Sequence, residues 1–353
     1  MSAEIWNGAK CTDKDYTMSR KKREQRAVRR FFFMLTLLLI ILVVSAYLLI
    51  FRVHDLTLAA EYDKTNSVFG ISRFSSENGL ADSFASDLCV SSVDFPMDGL
   101  DIQAQSAALF NESEKQVTYA KGLHERRYPA SLTKIMTTLV ALQYGNLDEM
   151  VTVGAECKDI EYGSSVCEIQ IGDQLTLRQL LYGLMINSGN DAAMTIAVHV
   201  GGTVENFVDM MNREAARIGA TNTHFMNAHG LHDENHYTTA YDIYLMFHEA
   251  LRYDVFRDII SKHTYYAEYK NAAGEDTGIM WESTNHYFIN EAVPPSDVLL
   301  IGGKTGTTDA AGACLCLYSE NKYGDPFVSI IMKAETRDSL YEEMNILLSK
   351  INN

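Results

Sequence analysis

The stretch YPASLTKIM, residues 128–136, sets a serine and a lysine three apart, Ser131 and Lys134, just after Pro129 and ahead of an apolar run. The run continues as SLTKIMTTLVALQYG to Gly145 and reads as a helix, with a proline before its start and a glycine at its end. On a helix, residues i and i+3 share a face, so the lysine amine can reach the serine oxygen. A serine hydroxyl is a poor nucleophile until a base takes its proton. Lysine is that base only if burial or a neighbouring cation lowers its pKa. The positive end of a helix dipole favours the same serine. Serine is also a favoured N-cap and lysine a common surface residue, so S-x-x-K alone decides nothing.

Two further stretches bear on it. INSGNDAA carries Ser188, Gly189 and Asn190 between two predicted helices, LTLRQLLYGLMINS and the small-residue run NDAAMTIAVHV. Read plainly it is a turn. Read chemically, the serine relays a proton to a leaving group and the asparagine holds an amide. IGGKTGTTDAAG carries Lys304, Thr305, Gly306 and Thr307 after an apolar strand. It is either a glycine-rich hairpin or an edge strand lining a site. In the second case Lys304 supplies positive charge to a carboxylate substrate and against protonation of Lys134. Gly306 lets a ligand approach the backbone. Each motif is weak. Together, in the order S-x-x-K, S-x-N, K-T-G, with gaps of 57 residues (131 to 188) and 116 residues (188 to 304), they are specific.

Around these motifs the pattern is α+β. DIQAQSAALF and QVTYAKG flank the turn NESEK and predict a β-hairpin. TVENFVDMMNREAARIGA and TTAYDIYLMFHEALR predict amphipathic helices in the middle. VLLIGGKTGTT, AGACLCLYSE and PFVSIIMKAE predict three closing strands, and DSLYEEMNILLSKI a last helix. The expected architecture is an antiparallel sheet from both chain ends, flanked by helices, with a helical insertion. No second domain is expected after the last strands.

The 353-residue chain carries a net charge of −16. Residues 31–51, FFFMLTLLLIILVVSAYLLIF, are 21 residues without a charge, and a transmembrane helix needs about 20. The 30 residues before it hold nine Lys/Arg and four acids, a net +5, clustered in KKREQRAVRR. That bias predicts a cytoplasmic N-terminus, a single-pass anchor in the cell membrane and an extracytoplasmic remainder. A cleaved signal peptide is the competing reading, but its apolar region is shorter. The expected organisation is a basic tail (1–30), a transmembrane helix (31–51), a stalk (52–100) and one catalytic domain (101–353). The remainder carries −21 once the tail's +5 is removed, which suits solubility and does not suit nucleic acid. The cysteines are Cys11, Cys89, Cys157, Cys167, Cys314 and Cys316. Cys157 and Cys167 lie where a disulfide persists, though sequence does not fix the pairing. Cys314 and Cys316 share one strand face and read as buried thiols. His224, His229, His232 and His236 crowd HFMNAHGLHDENH, but in a predicted loop, so they read as structural and no metal or cofactor is expected.

PASLTKIMT, INSGNDAA, MNAHGLHDENHYTTAYD and GGKTGTT resemble, in order, stretches of the serine-type D-alanyl-D-alanine carboxypeptidases, the low-molecular-mass penicillin-binding proteins, over about residues 101–350. The resemblance implies the β-lactamase/DD-peptidase fold. It implies that Ser131 attacks the carbonyl of the penultimate D-Ala in a peptidoglycan stem peptide, that Lys134 takes its proton, that Ser188 protonates the departing D-Ala and that Asn190 holds the peptide. Lys304 and Thr305 would bind the terminal carboxylate, beside Gly306 and Thr307. The Ser131 and Thr307 N–H groups would form the oxyanion hole. β-Lactams would trap Ser131. Two departures stand out: an N-terminal helix is expected to do the anchoring that many relatives assign to a C-terminal one, and Thr307 follows K-T-G where some relatives have His or Phe. A class A β-lactamase is the nearest rival, but the E-x-x-L-N loop expected there is replaced by FMNAHGLHDEN. A β-lactam sensor would need a signalling domain, and 30 residues are too few.

Overall fold

The computed structural model of the chain describes residues 29, 33–40, 85–97 and 100–352. It divides into two units, Met1–Ala81 and Asp82–Asn353. In the first, residues 33–40 are helical and their apolar side chains are exposed. Among the described residues no helix is long and apolar enough to cross a membrane. Most of the expected span 31–51 lies outside the described residues, as do most of the tail and most of the stalk.

The second unit is built on a five-stranded antiparallel sheet. Its strands are β1 (Ser106–Asn111), β2 (Gln116–Lys121), β7 (Leu299–Thr308), β8 (Gly312–Glu320) and β9 (Pro326–Ala334), in the order β2-β1-β9-β8-β7. The sheet therefore joins both ends of the domain. The β1–β2 turn is closed by Asn111, whose Oδ1 accepts from the Ser113 and Glu114 N–H groups at 3.0 Å each. Strand periodicity sorts the side chains into two layers. Ala107, Leu109, Leu315, Leu317 and Ile331 pack under the last helix, α7 (Arg337–Leu348). Ala108, Phe110, Cys314, Cys316, Val328 and Ile330 face the other helices. Cys314 and Cys316 do share a buried face and are free thiols. Cys157 and Cys167 are also buried and free, so the structure holds no bond between them.

Six helices lie on that second face or beyond it: α1 (Thr133–Tyr144), α2 (Leu177–Ile186), α3 (Asn190–Gly201), α4 (Val204–Arg217), α5 (Ala240–Leu251) and α6 (Asp254–Ile260). Every residue from Thr133 to Ala141 is buried, which makes α1 the central helix. It is preceded by one 3-10 turn, Ala130–Leu132. Asn190–Ala197 of α3 are buried as well, because small side chains admit close helix neighbours. A second antiparallel sheet, β3 (Met150–Thr152), β4 (Gln174–Thr176), β5 (Thr264–Lys270) and β6 (Asp276–Glu282), was not expected from the sequence. Two of its strands are three residues long, too short to show a period. Residues 85–97 lie against the domain: Phe95 exchanges backbone hydrogen bonds with Ala120, and Asp94 accepts from the Gly122 and Leu123 N–H groups at 2.8 and 2.9 Å.

Candidate active site

Ser131 sits in the 3-10 turn at the mouth of α1, and Lys134 follows one turn later. The turn is held in an unusual conformation. Ala130 has φ +47, a left-handed value that costs a side-chain-bearing residue energy. Thr133 Oγ1 donates to the Ala130 carbonyl at 2.8 Å. His236 holds Thr133 in turn: its Nδ1 accepts from the Met226 N–H at 3.1 Å, so its Nε2 carries the proton facing Thr133 Oγ1 at 2.8 Å. Gly230, at φ +93, packs so tightly on this turn that a Cβ there would lie 1.9 Å from the Ala130 oxygen. The histidine-rich loop is thus a cradle for the serine turn. His224 Nδ1 donates to the Asn235 carbonyl and His232 stacks edge-on against Tyr128. Among the described residues no group of three or more His, Cys, Asp or Glu is placed to hold a metal ion.

Lys134 is 0% exposed. Its Nζ lies 2.9 Å from Ser131 Oγ, 2.7 Å from Asn190 Oδ1 and 2.7 Å from the His229 carbonyl oxygen. None of these partners is a carboxylate. Burial, and next the positive charge of Lys304, hold its pKa well below the ordinary lysine value. A neutral amine fits the three partners. Its two N–H bonds go to Asn190 and His229, and its lone pair is left for the Ser131 hydroxyl proton.

Ser188 lies in the loop between α2 and α3, at φ +59, and Asn190 opens α3. A Cβ on Gly189 would lie 2.2 Å from Cys167 Sγ, so only glycine lets this loop lie flat on its neighbour. Asp191 fixes it further by accepting from the Cys167 N–H at 2.7 Å. Lys304, 1% exposed, reaches Ser188 Oγ at 3.1 Å. Burial lowers its pKa to about 7. The structure thus brings the five residues together as two hydrogen-bonded groups, Ser131–Lys134–Asn190 and Ser188–Lys304, and Ser131 and Ser188 line one cleft. Thr305 Oγ1 meets Thr284 Oγ1 at 2.5 Å, and Thr305, Gly306 and Thr307 line a cleft of about 380 Å³ that also contains Ser131 and Ser188.

β7 passes against the serine turn. A Cβ on Gly306 would lie 2.9 Å from the Ser131 nitrogen and 3.1 Å from both the Leu132 nitrogen and the Pro129 oxygen. All three are backbone atoms that cannot swing aside. Gly306→Ala should therefore move β7 off the turn and slow acylation by a β-lactam about 100-fold. Stopped-flow acylation rates check this. An unchanged rate would mean that the close approach is not needed.

The family model of D-alanyl-D-alanine carboxypeptidases, peptidase family S11, matches residues 91–336. The chain belongs to this family. D-alanyl-D-alanine carboxypeptidase DacF of Bacillus subtilis is 34% identical over 237 residues, 66% of this chain and 58% of that relative. D-alanyl-D-alanine carboxypeptidase DacC of Escherichia coli is 32% identical over 259 residues, 70% of this chain and 61% of that relative. The chain thus spans less than two thirds of the length of either. The crystal structure of the Streptomyces K15 DD-transpeptidase superposes with a TM-score of 0.66 at 28% identity, over 70% of this chain and 97% of that one. The α+β fold is therefore the DD-peptidase fold.

Sequence reasoning missed part of this S11 family member's cleft. Thr284, His286, Glu291 and Arg337 line its wall. Arg337 is the first residue of α7, where the helix dipole disfavours a cation. That misplaced charge was a signal in the sequence. The cradle loop had no such mark beyond its histidines.

Proposed function

We propose that this protein is a membrane-anchored, extracytoplasmic serine DD-carboxypeptidase that removes the terminal D-Ala from peptidoglycan stem peptides through a Ser131 acyl-enzyme. The observation that carries this is the contact of buried Lys134 Nζ with Ser131 Oγ at 2.9 Å, with no carboxylate among its hydrogen-bond partners and with burial outweighing the pull of Asp191 towards the charged form. The neutral amine takes the hydroxyl proton as Oγ attacks the penultimate D-Ala carbonyl. The oxyanion forms between the Ser131 and Thr307 N–H groups. Ser188 passes a proton to the departing D-Ala nitrogen, and Asn190 holds the peptide amide. Lys304, Thr305 and Arg337 face the terminal carboxylate. β7 is an edge strand, so its free backbone groups suit an extended peptide. Water then deacylates Ser131, and β-lactams, as mimics of D-Ala-D-Ala, stop at the acyl stage.

The anchor reading rests on the uncharged run 31–51 and the basic tail before it. The proposed organisation is tail 1–30, membrane helix 31–51, a stalk that starts at 52 and is shorter than the expected 52–100, because residues 85–97 pack on the catalytic domain, and that domain to 353. Transfer of the acyl group to an amine instead of water is the second reading, favoured by the likeness to a solved DD-transpeptidase. D-Ala release from a pentapeptide ending in D-Ala-D-Ala, with and without an added amine acceptor, tests both. No release under either condition would sink the proposal.

Lys304 adds a pH signature. Its pKa of about 7 means that the free protein loses this positive charge as pH rises through 7. The KM for a peptide with a free terminal carboxylate should therefore rise about tenfold for each pH unit well above 7. A flat KM from pH 6 to 9 would exclude Lys304 as the carboxylate's partner.

A further inference from the structure

A second cavity of about 520 Å³ opens beside the serine turn. Arg126, Arg127 and Lys333 line it, with Tyr128, Tyr237 and a single carboxylate, Glu234. Three cations around one cavity contrast with a chain whose net charge is −16. Their arrangement is built. The Arg126 guanidinium lies over the Tyr237 ring at 4.3 Å from its centre, which fixes it without neutralising it. Arg127 pairs with Glu125, yet its Nε is buried with no hydrogen-bond partner among the described residues. Such a group costs stability unless a ligand uses it.

Lys333 is placed by a β-bulge. The β8–β9 register slips between Ala313, opposite Ala334, and Leu315, opposite Ile331, so β9 carries an extra residue. Lys333 sits in that bulge at φ +60 and its Nζ reaches the Ala310 carbonyl at 2.6 Å. Bulges re-aim side chains next to active sites. Among the described residues neither Arg126 nor Lys333 has a carboxylate partner.

The direction of β7 says what the cavity faces. Lys304 and Thr305 mark the end of the cleft that takes the substrate's terminal carboxylate, and Thr307 marks the scissile carbonyl. The acyl part of an extended substrate must then continue past Thr307 towards Ala310, which lines this cavity. Those three residues span at most about 10 Å, or two to three substrate residues.

We propose that Arg126, Arg127 and Lys333 form an anion subsite for a carboxylate carried two residues upstream of the acylating residue. The inference rests on the acyl-transfer reading of the Ser131 site and adds a substrate preference to it: acidic acyl donors.

Two pentapeptides ending in D-Ala-D-Ala test this. They differ only at the second residue, a glutamate whose non-backbone carboxyl is free in one and amidated in the other. Wild-type protein should show about tenfold higher kcat/KM for the free acid. Arg126→Gln and Lys333→Gln should each shrink that ratio, and the double variant should bring it close to one. Arg126 is exposed, so Arg126→Gln carries the test if Lys333→Gln disturbs the bulge. Equilibrium binding of both peptides to Ser131→Ala gives the same comparison without turnover. D-Ala release with equal rates for acid and amide would overturn the subsite and leave the carboxypeptidase intact. Absent D-Ala release with acid-selective binding would do the reverse. Discrimination that survives in the double variant would also overturn the subsite.

Discussion

Ser131→Ala is expected to abolish the covalent adduct with benzylpenicillin and to lower D-Ala release by at least about 10⁴-fold. The change removes one oxygen from a residue whose turn is fixed by other groups. Thr133 and His236 hold the Ala130 carbonyl, and Gly230 packs against it. The variant should therefore fold as wild type does, with an unchanged melting temperature. Intact-mass spectra of both proteins with benzylpenicillin check the result over time. A persistent adduct on wild type alone establishes the acyl-enzyme. An equal adduct on Ser131→Ala would remove the serine from the mechanism. Rapid penicillin loss with no adduct would point to a β-lactamase.

The second large effect belongs to Lys134. Lys134→Met keeps an unbranched chain of similar volume in a site that is 0% exposed, but removes the amine. Acylation should fall by about 10³-fold, the usual contribution of a positioned base. Stability should change less than for most buried substitutions. The amine is held neutral in the fold at a cost in desolvation, and methionine carries no such cost. Two acceptors, Asn190 Oδ1 and the His229 carbonyl, are left without their donor, which works the other way. The decisive readout is the pH profile. Wild-type acylation should rise with pH as Lys134 loses its proton, with a midpoint well below the ordinary lysine value. Lys134→Met should be flat there. A wild-type profile that rises only near pH 10 would mean that the lysine stays charged and is not the base.

The site was legible where the chain repeats a local geometric rule. Ser131 and Lys134 are one helical turn apart, and that turn is all their contact needs. Ser188, Asn190 and Lys304 were legible only as a set, because nothing local in INSGNDAA or GGKTGTT says that they meet. The five-stranded sheet was legible because β1, β8 and β9 are long apolar runs between turn residues. The second sheet was not, since β3 and β4 are only three residues long and the exposed Tyr266 of β5 blurs the polar–apolar alternation that marks a strand. Arg337 was missed because its place in the cleft comes from where α7 starts, after the last strand. The cradle of His236, Thr133 and Gly230 was missed for a similar reason. Its histidines work through backbone partners, which a sequence does not display.

The strand order has a consequence for how the chain reaches this shape. β9 lies between β1 and β8, and residues 106–111 pair with residues 327–332. The centre of the sheet is therefore the last strand to be synthesised, and its partner among the first. Until β9 emerges, β1 and β8 each lack a neighbour and the layer under α7 has no floor. Such long-range closure is slow. A sheet that closes on its last strand leaves its two inner neighbours exposed for nearly the whole of synthesis, which is when their bare edges are open to pairing with another chain.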